Sequence, residues 1–385
     1  MSVTGIICEY NPFHRGHQKQ IAQLKAQGHT VVCLMSGNFV QRGHPAIFDK
    51  MLRAKAAIGC GADLVIELPI TYAVSSAEGF AAGGVEILSK LCDNLCFGAE
   101  TADKASLLAA AGALLSDTFT DRLRVHLDKG LSFPAARAAA LAEIGIDTAL
   151  VETPNNILAV EYCKAIMAQK SSLTPLPIFR AGSYHDTTVN DENPSATALR
   201  ILIQNGQNWE DFVPKQAHFT PEAAPIHAIE YGEKALLAKL RTMTDAEFEA
   251  LPFSSEGLWR KLMHASRRCA TLEEIIAATK SKRYTRTRID RMILCAFLSI
   301  TKDMLSSPAP YARVLAFNDR GRAILSEAKS SRYFINIGEK TGHTYEALEH
   351  RAGALYELFS QNPGKPDTEG NYRVFYLKDG VKNVE

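Results

Sequence analysis

The residues with the most chemical character lie near the start of the chain. The stretch "EYNPFHRGH", residues 9–17, sets His14 and His17 three positions apart around Arg15 and Gly16. Two imidazoles on one turn can donate ring N–H bonds to phosphate oxygens, and a glycine between them lets backbone approach a ligand. A second group follows far downstream in "PSATALR", residues 194–200. Ser195 stands near a helix start with Thr197 close by, and Arg200 lies one turn on. Such a start combines a capping hydroxyl, free N–H groups and the positive end of a helix dipole. A third group is "TKSKRYTRTRIDRM", residues 279–292, where Lys280, Lys282, Arg283, Arg286, Arg288 and Arg291 face Asp290 alone, with Tyr284 inside the run and Trp259 some way before it. A basic stripe with an aromatic suits an RNA backbone and one stacked base. Each group also has a plain structural role open to it: a surface loop, an ordinary N-cap, a solvated helix face.

Elements must place these residues together. "VTGIIC", "HTVVCLM", "ADLVIELP" and "DNLCFG" read as short strands, apolar on both faces. Between them, "HQKQIAQLKAQG", "DKMLRAKAAIGCG" and "SSAEGFAAGGVEILSKL" read as helices. Alternation of this kind predicts an α/β, doubly wound parallel sheet of Rossmann-like type. Residues 103–170 read as helices and "LTPLPIF", 173–179, as a fifth strand kept to an edge by its prolines. A nucleotide-binding domain is expected over 1–206, a mainly helical, basic region over 207–310, and a small α/β element over 311–385. In an open parallel sheet, ligands bind beyond the carboxyl ends of the strands, where the first strand–helix turn is the usual anion site. The first turn lacks G-x-G-x-x-G, and the chain has no G-x-x-x-x-G-K-[ST].

Composition sets the outer limits. The chain has 385 residues, 46% of them hydrophobic and 22% charged, which argues for a folded core and against disorder. Most of the eight cysteines sit inside apolar runs such as "GIIC" and "VVCLM", as free buried cysteines do. Only Cys92 and Cys96 are close, with no second pair to complete a zinc site. No apolar run reaches the length of a membrane span, and no signal peptide is expected. The expectation is a cytoplasmic protein that works on neither membrane nor DNA.

The H-x-G-H tetrapeptide and "SATALR" resemble the two signatures of the nucleotidyltransferase α/β superfamily, in the right order. The likeness narrows further. "EYNPFHRGH", "MSGNFVQRGHPAIFDK", "ADLVIELP", "SSAEGFAAGGVEIL", "CFGAE", "TPNNILAVEY", "YHD", "SATALR" and "KSKRYTRTRIDR" occur in succession. Together they resemble the bacterial tRNA(Met) cytidine acetate ligase family over most of the chain. The resemblance implies an ATP-dependent ligase that makes acetyl-adenylate from acetate and then acetylates N4 of the wobble cytidine of elongator tRNA(Met).

By the same resemblance the ATP site takes in Ile7, Cys8, Glu9, Tyr10, Asn11, Pro12, Phe13, His14, Arg15, Gly16, His17, Gln18, Lys19 and Gln20, then Gly98, Asn155 and Arg180. Ser195, Thr197 and Arg200 complete it at the second signature. His14 and His17 would stabilise phosphate charge, with Lys19 in reach of the phosphates. Asp49 and Lys50 open a helix near the same crevice. Magnesium is implied by triphosphate chemistry, without named ligands. The tRNA would lie on Lys280, Lys282, Arg283, Tyr284, Arg286 and Arg288. The chain departs from the pattern at Arg15, where asparagine is expected, and at His44, where an acidic residue is common. Two other functions fit the motifs: a small-molecule adenylyl- or cytidylyltransferase, and a non-catalytic RNA-binding protein with a vestigial nucleotide site. The long C-terminal part argues against the first, and the intact His14, Gly16, His17, Ser195 and Arg200 against the second.

Overall fold

The computed structural model describes residues 2–180, 195–220, 224–328, 332–366 and 369–378. Its strands are β1 (Val3–Cys8), β2 (Thr30–Ser36), β3 (Phe39–Val40), β4 (His44–Pro45), β5 (Leu64–Leu68), β6 (Asn94–Ala99), β7 (Thr174–Phe179), β8 (Ala312–Asn318), β9 (Phe334–Asn336) and β10 (Phe375–Leu377). One sheet runs β10–β8–β5–β2–β1–β6–β7, with β9 also paired to β8. The pairings β1–β2, β2–β5, β1–β6 and β6–β7 are all parallel. The chain builds outward from β1 to β2 and β5 on one side, then to β6 and β7 on the other. The strand order therefore reverses at β1 and β6, and a crevice opens beyond their carboxyl ends. The edge position of β7 accommodates Pro175 and Pro177, which have no N–H to give a ladder.

Period-two alternation explains why the central strands are apolar throughout. Along β2, Val32 and Leu34 enter one core, with Phe80, Val85, Leu88 and Val160 from covering helices. Val31, Cys33 and Met35 enter the opposite core, with Ile21, Leu24, Ala54 and Ile58.

The strands of 311–385, expected as a small appended element, extend the first sheet instead. β8 pairs antiparallel with β5, Leu64 opposite Phe317, and β9 and β10 both pair parallel with β8. The sheet is thus mixed. The reason is the otherwise open side of β5: an apolar strand left as an edge invites pairing with another chain, and β8 covers it.

Between β7 and β8 the described chain is mainly helical, including Leu258–Ser266, Leu272–Thr279 and Arg286–Leu298. These helices share a core in which Leu240, Leu262, Ile276 and Ile293 meet Phe39 from the β2–β4 segment and Tyr356 and Phe359 from near the C-terminus. The hairpin β3–β4 docks its turn directly on helix Arg286–Leu298. Gly43, at φ +84°, lies so close that a Cβ would stand 2.6 Å from the backbone nitrogen of Arg291. Gly28 has a similar φ of +81° with open space around it. Gly28→Ala should cost about 1 kcal/mol from backbone strain alone. Gly43→Ala should cost about 3–5 kcal/mol, since overpacking is added. Urea unfolding of the two variants should show this difference.

Candidate active site

The turn after β1 is built by its own backbone. His14 is the N-cap of helix Arg15–Ala26. Its Nδ1 accepts the Gly16 N–H at 3.0 Å, and the His14 N–H donates to Nδ1 of His17 at 3.2 Å. This reciprocal capping box fixes both tautomers. A ring nitrogen that accepts carries no hydrogen, so in each neutral imidazole the proton resides on Nε2. The rings stack with centroids 3.7 Å apart. His14 Nε2 is buried and has no hydrogen-bond partner among the described residues. Tyr10 and Phe13 pack against His17 and hold its ring in place. Gly16 has a role unlike the expected approach to a ligand: a Cβ there would stand 2.9 Å from His14 Cε1, so glycine makes room for the capping ring.

Burial, followed by the nearby positive charges of Arg180 and Arg200, pushes the His14 pKa down to about 3. Burial, His14 and Arg180 hold His17 well below the ordinary imidazole value. Both rings are neutral near pH 7, and each is an oriented N–H donor.

The turn opens on a cleft of about 770 Å³. Ile7, Cys8, Glu9, Tyr10, Asn11, His17 and Gln20 line it from the first motif, and Gly98, Asn155, Arg180 and Arg200 from the later ones. Arg200 Nη1 donates to the Asn11 carbonyl at 2.7 Å and Nη2 to Thr197 Oγ1 at 3.0 Å, so the second motif braces the first. Ser195 caps its helix by accepting the Ala198 N–H at 3.0 Å. Asn155 is oriented by Glu100, whose Oε1 accepts its amide at 2.7 Å. Burial pushes the Glu100 carboxyl up, but hydrogen bonds from Asn155, Thr153 and the Asn156 backbone outweigh it and hold the pKa below the usual value. Arg283, Thr285, Thr287, Arg288 and Arg291 line the same cleft from the helical region.

A family model described as HIGH Nucleotidyl Transferase matches residues 1–370. The tRNA(Met) cytidine acetate ligase of Clostridium novyi (strain NT) is 38% identical over 86% of this chain and 88% of its own. That of Acetivibrio thermocellus is 37% identical over 94% of this chain and 96% of its own. The chain belongs to the tRNA(Met) cytidine acetate ligase family of HIGH nucleotidyl transferases. Among solved structures, apo TmcAL from Thermotoga maritima superposes with a TM-score of 0.89 at 28% identity, covering 98% of this chain and 100% of that one. The same protein bound with alpha-thio ATP gives a TM-score of 0.87 at 28% identity, over the same shares of the two chains.

Within this family member, several expected site residues lie away from the cleft. Arg15 and Lys19 are exposed on helix Arg15–Ala26 and do not line it, nor does Gln18. Pro12, Phe13 and His14 are buried beneath the lining residues. Asp49 is an N-cap that accepts the Met51 N–H and the Tyr372 hydroxyl, and Lys50 is buried against Glu67 at 2.8 Å. Both are structural. The segment "YHD" lies outside the described residues.

The basic stretch divides. Arg283 and Arg288 face the cleft, whereas Arg286 turns to the other side of its helix, held by Glu273 through two 2.7 Å bonds and near Asp290. Lys280 and Lys282 are exposed. Tyr284 donates its hydroxyl to the Glu256 carbonyl at 2.8 Å, with Arg288 over its ring. His44 stands 3.6 Å from Asp290, so this departure from the family pattern helps seat the hairpin.

The histidines make stability depend on pH. The unfolded chain protonates them near pH 6.5, whereas the folded protein keeps them neutral to about pH 3 for His14. The unfolded state therefore binds more protons between these values, and stability falls as pH drops below 6.5. The loss should reach about 2 kcal/mol at pH 5 for one such imidazole. Urea unfolding at pH 7.5 and pH 5 should show a smaller pH effect in the His14→Ala/His17→Ala double variant than in the parent.

Proposed function

We propose that this chain uses ATP to activate acetate and then acetylates N4 of the wobble cytidine of elongator tRNA(Met). The observation that carries the reading is one cleft with the H-x-G-H turn on one side and cationic Arg283, Arg288 and Arg291 on the other. A small metabolite would not require the second wall. The names of the relatives support the ligase and tRNA(Met), and the alpha-thio ATP complex of the Thermotoga maritima protein supports ATP. A cytoplasmic location goes with a tRNA substrate; among the described residues no helix is long and apolar enough to cross a membrane.

In the first step a carboxylate oxygen of acetate attacks the α-phosphorus. The bond to the bridging oxygen breaks, and pyrophosphate leaves with the electron pair. The fixed Nε2–H donor of His17, backed by the stacked His14 ring and with Arg180 and Arg200 nearby, stabilises the negative charge that develops. In the second step the cytidine amino nitrogen attacks the acetyl carbonyl. The bond to the AMP oxygen breaks, AMP leaves, and the nitrogen loses one proton. Positioning in the cleft does much of the work in both steps.

Magnesium accompanies triphosphate chemistry in general. The residues present do not form a cage for it: no three His, Cys, Asp or Glu side chains come together among the described residues. The cleft carboxylate Glu9 is also engaged, accepting the Gln41 N–H.

His17→Ala should lower acetate-dependent ATP–pyrophosphate exchange about 100- to 1000-fold, with the protein still folded by circular dichroism. Near-normal exchange would refute the role. Arg283→Ala should weaken tRNA binding and flatten its salt dependence by about one log–log unit or slightly less. Arg286→Ala should change that slope less, because this side chain points away from the cleft and is held between Glu273 and Asp290, whereas Arg283 lines the cleft and pairs with Glu256 alone. Binding titrations from low to moderate salt would separate the two.

A further inference from the structure

One side of the cleft carries only Asn155 of the residues assigned to ATP or phosphate. It is built by helices Phe133–Glu143 and Pro154–Ala168, the second of which also carries Asn155 at its start. Glu161, only 4% exposed, lies there between Arg137, at 3.0 Å, and Lys164, at 2.7 Å. The pairing is incomplete. Arg137 Nη2 and Glu161 Oε2 are buried at ion-pair distances, yet neither makes a directed hydrogen bond. A buried ion pair is costly unless its remaining donors and acceptors find partners. Two aromatic residues line the same cleft: Tyr162, next to Glu161 in the chain, and Phe133, which is 53% exposed.

We propose that this carboxylate–guanidinium pair, with Phe133 and Tyr162, is a nucleobase recess that receives the acceptor cytosine of the RNA. The inference rests on the ligase reading and names the subsite that reading needs. The accepting amine must enter the cleft that holds the adenylate, so its base must leave the anticodon stack. Unstacked bases are held on aromatic faces and read along their Watson–Crick edges. Cytosine presents an amino donor at N4 beside acceptors at N3 and O2. Glu161 accepts from N4, as carboxylates do with cytosine, and Arg137 donates to N3 or O2. Uracil presents a carbonyl at position 4, which would face the Glu161 carboxylate without a hydrogen between them. Across the cleft, Arg283 and Arg288 are placed to hold the adjoining phosphates. Adenine shares cytosine's donor–acceptor edge, so the adenine of ATP is the competing occupant.

The test compares the parent, Glu161→Gln and Phe133→Ala. Binding is measured to elongator tRNA(Met) transcripts carrying cytidine or uridine at the wobble position, and KM for ATP in acetate-dependent pyrophosphate exchange without RNA. The parent should prefer cytidine by about tenfold or more. Glu161→Gln should erase most of that preference, because an amide can donate to the uracil carbonyl, while KM for ATP stays within about twofold. Phe133→Ala should weaken both RNAs alike by about tenfold. Phe133 is half exposed, so its variant stays informative should Glu161→Gln fail to fold. A raised KM for ATP with an unchanged cytidine preference would assign the recess to adenine and overturn the proposal. Parent-like values in both variants would overturn it too, leaving the ion pair a structural feature. Binding needs no turnover, so a parent that lacks acetate-dependent exchange would refute the ligase reading separately.

Discussion

Arg53 is the residue on which the active-site geometry depends. It is fully buried, and its hydrogen bonds go to backbone carbonyls: Phe48 at 2.9 Å, Glu9 at 2.6 Å, Ser36 at 3.1 Å, and Gly37. Those carbonyls belong to three separate stretches: the exit of β1, the exit of β2, and the approach to helix Lys50–Gly59. Each stretch leaves strand geometry there and would otherwise bury unpaired carbonyls. One planar guanidinium with five donors satisfies them together, which a lysine would not. Burial lowers the Arg53 pKa, with Tyr356 and Asp49 acting in the opposite direction. From the far side, Arg200 takes the carbonyl of Asn11, whose side chain accepts the Ile47 N–H at 2.8 Å. The segment leading into the H-x-G-H turn is thus held by two arginines, at Glu9 and at Asn11.

The segment from Gly37 to Pro45 then carries that order across the cleft. Its Gln41 N–H donates to Glu9 beside the first turn at 2.9 Å. Its Phe39 enters the core of the helical region, and Gly43 sits on the backbone of Asp290 and Arg291. Tyr356, from the C-terminal part, donates its hydroxyl to the Ala46 carbonyl at 2.7 Å. The wall carrying the H-x-G-H turn and the wall carrying Arg283 and Arg288 therefore meet through a hairpin of a few residues. On the proposed reading, a two-step reaction has to hold both substrates at a fixed separation, and this contact would supply a physical means of doing so.

Much of this was legible in the residues because it is local. Strands apolar on both faces, helices closed by glycines, and a histidine pair after the first strand are short-range patterns. The partner of β8 was not legible: Leu64 pairs with Phe317 across most of the chain, and periodicity names a strand without naming its neighbour. Arg53 was hidden for a related reason. In "DKMLRAKAAIG" it reads as one of several solvated cations, and only tertiary burial singles it out. Glu100 and Glu161 were likewise inside quoted motifs, but their partners come from other elements. The division of the basic stretch had a signal that spacing could have caught. Arg286 and Asp290 are four apart on one helix face, while Arg288 and Arg291 are three apart on another.

The neutral state of the histidines follows from their surroundings. Two imidazolium ions stacked 3.7 Å apart beside Arg180 and Arg200 would repel one another, and burial would add a desolvation cost. Deprotonation removes both penalties and leaves the N–H groups in place, because the capping box already holds each Nδ1 as an acceptor. On the proposed reading an entering triphosphate would reverse the balance. Its negative charge would favour a protonated His17 ring, whose Nε2–H bond would become charge-assisted and stronger. In the proposed reaction, charge at the phosphates rises further as pyrophosphate departs, so the His17 donor would bind the transition state more tightly than the ground state. Because the donors are positioned by backbone hydrogen bonds within one turn, that gain requires no reorganisation at the moment of reaction.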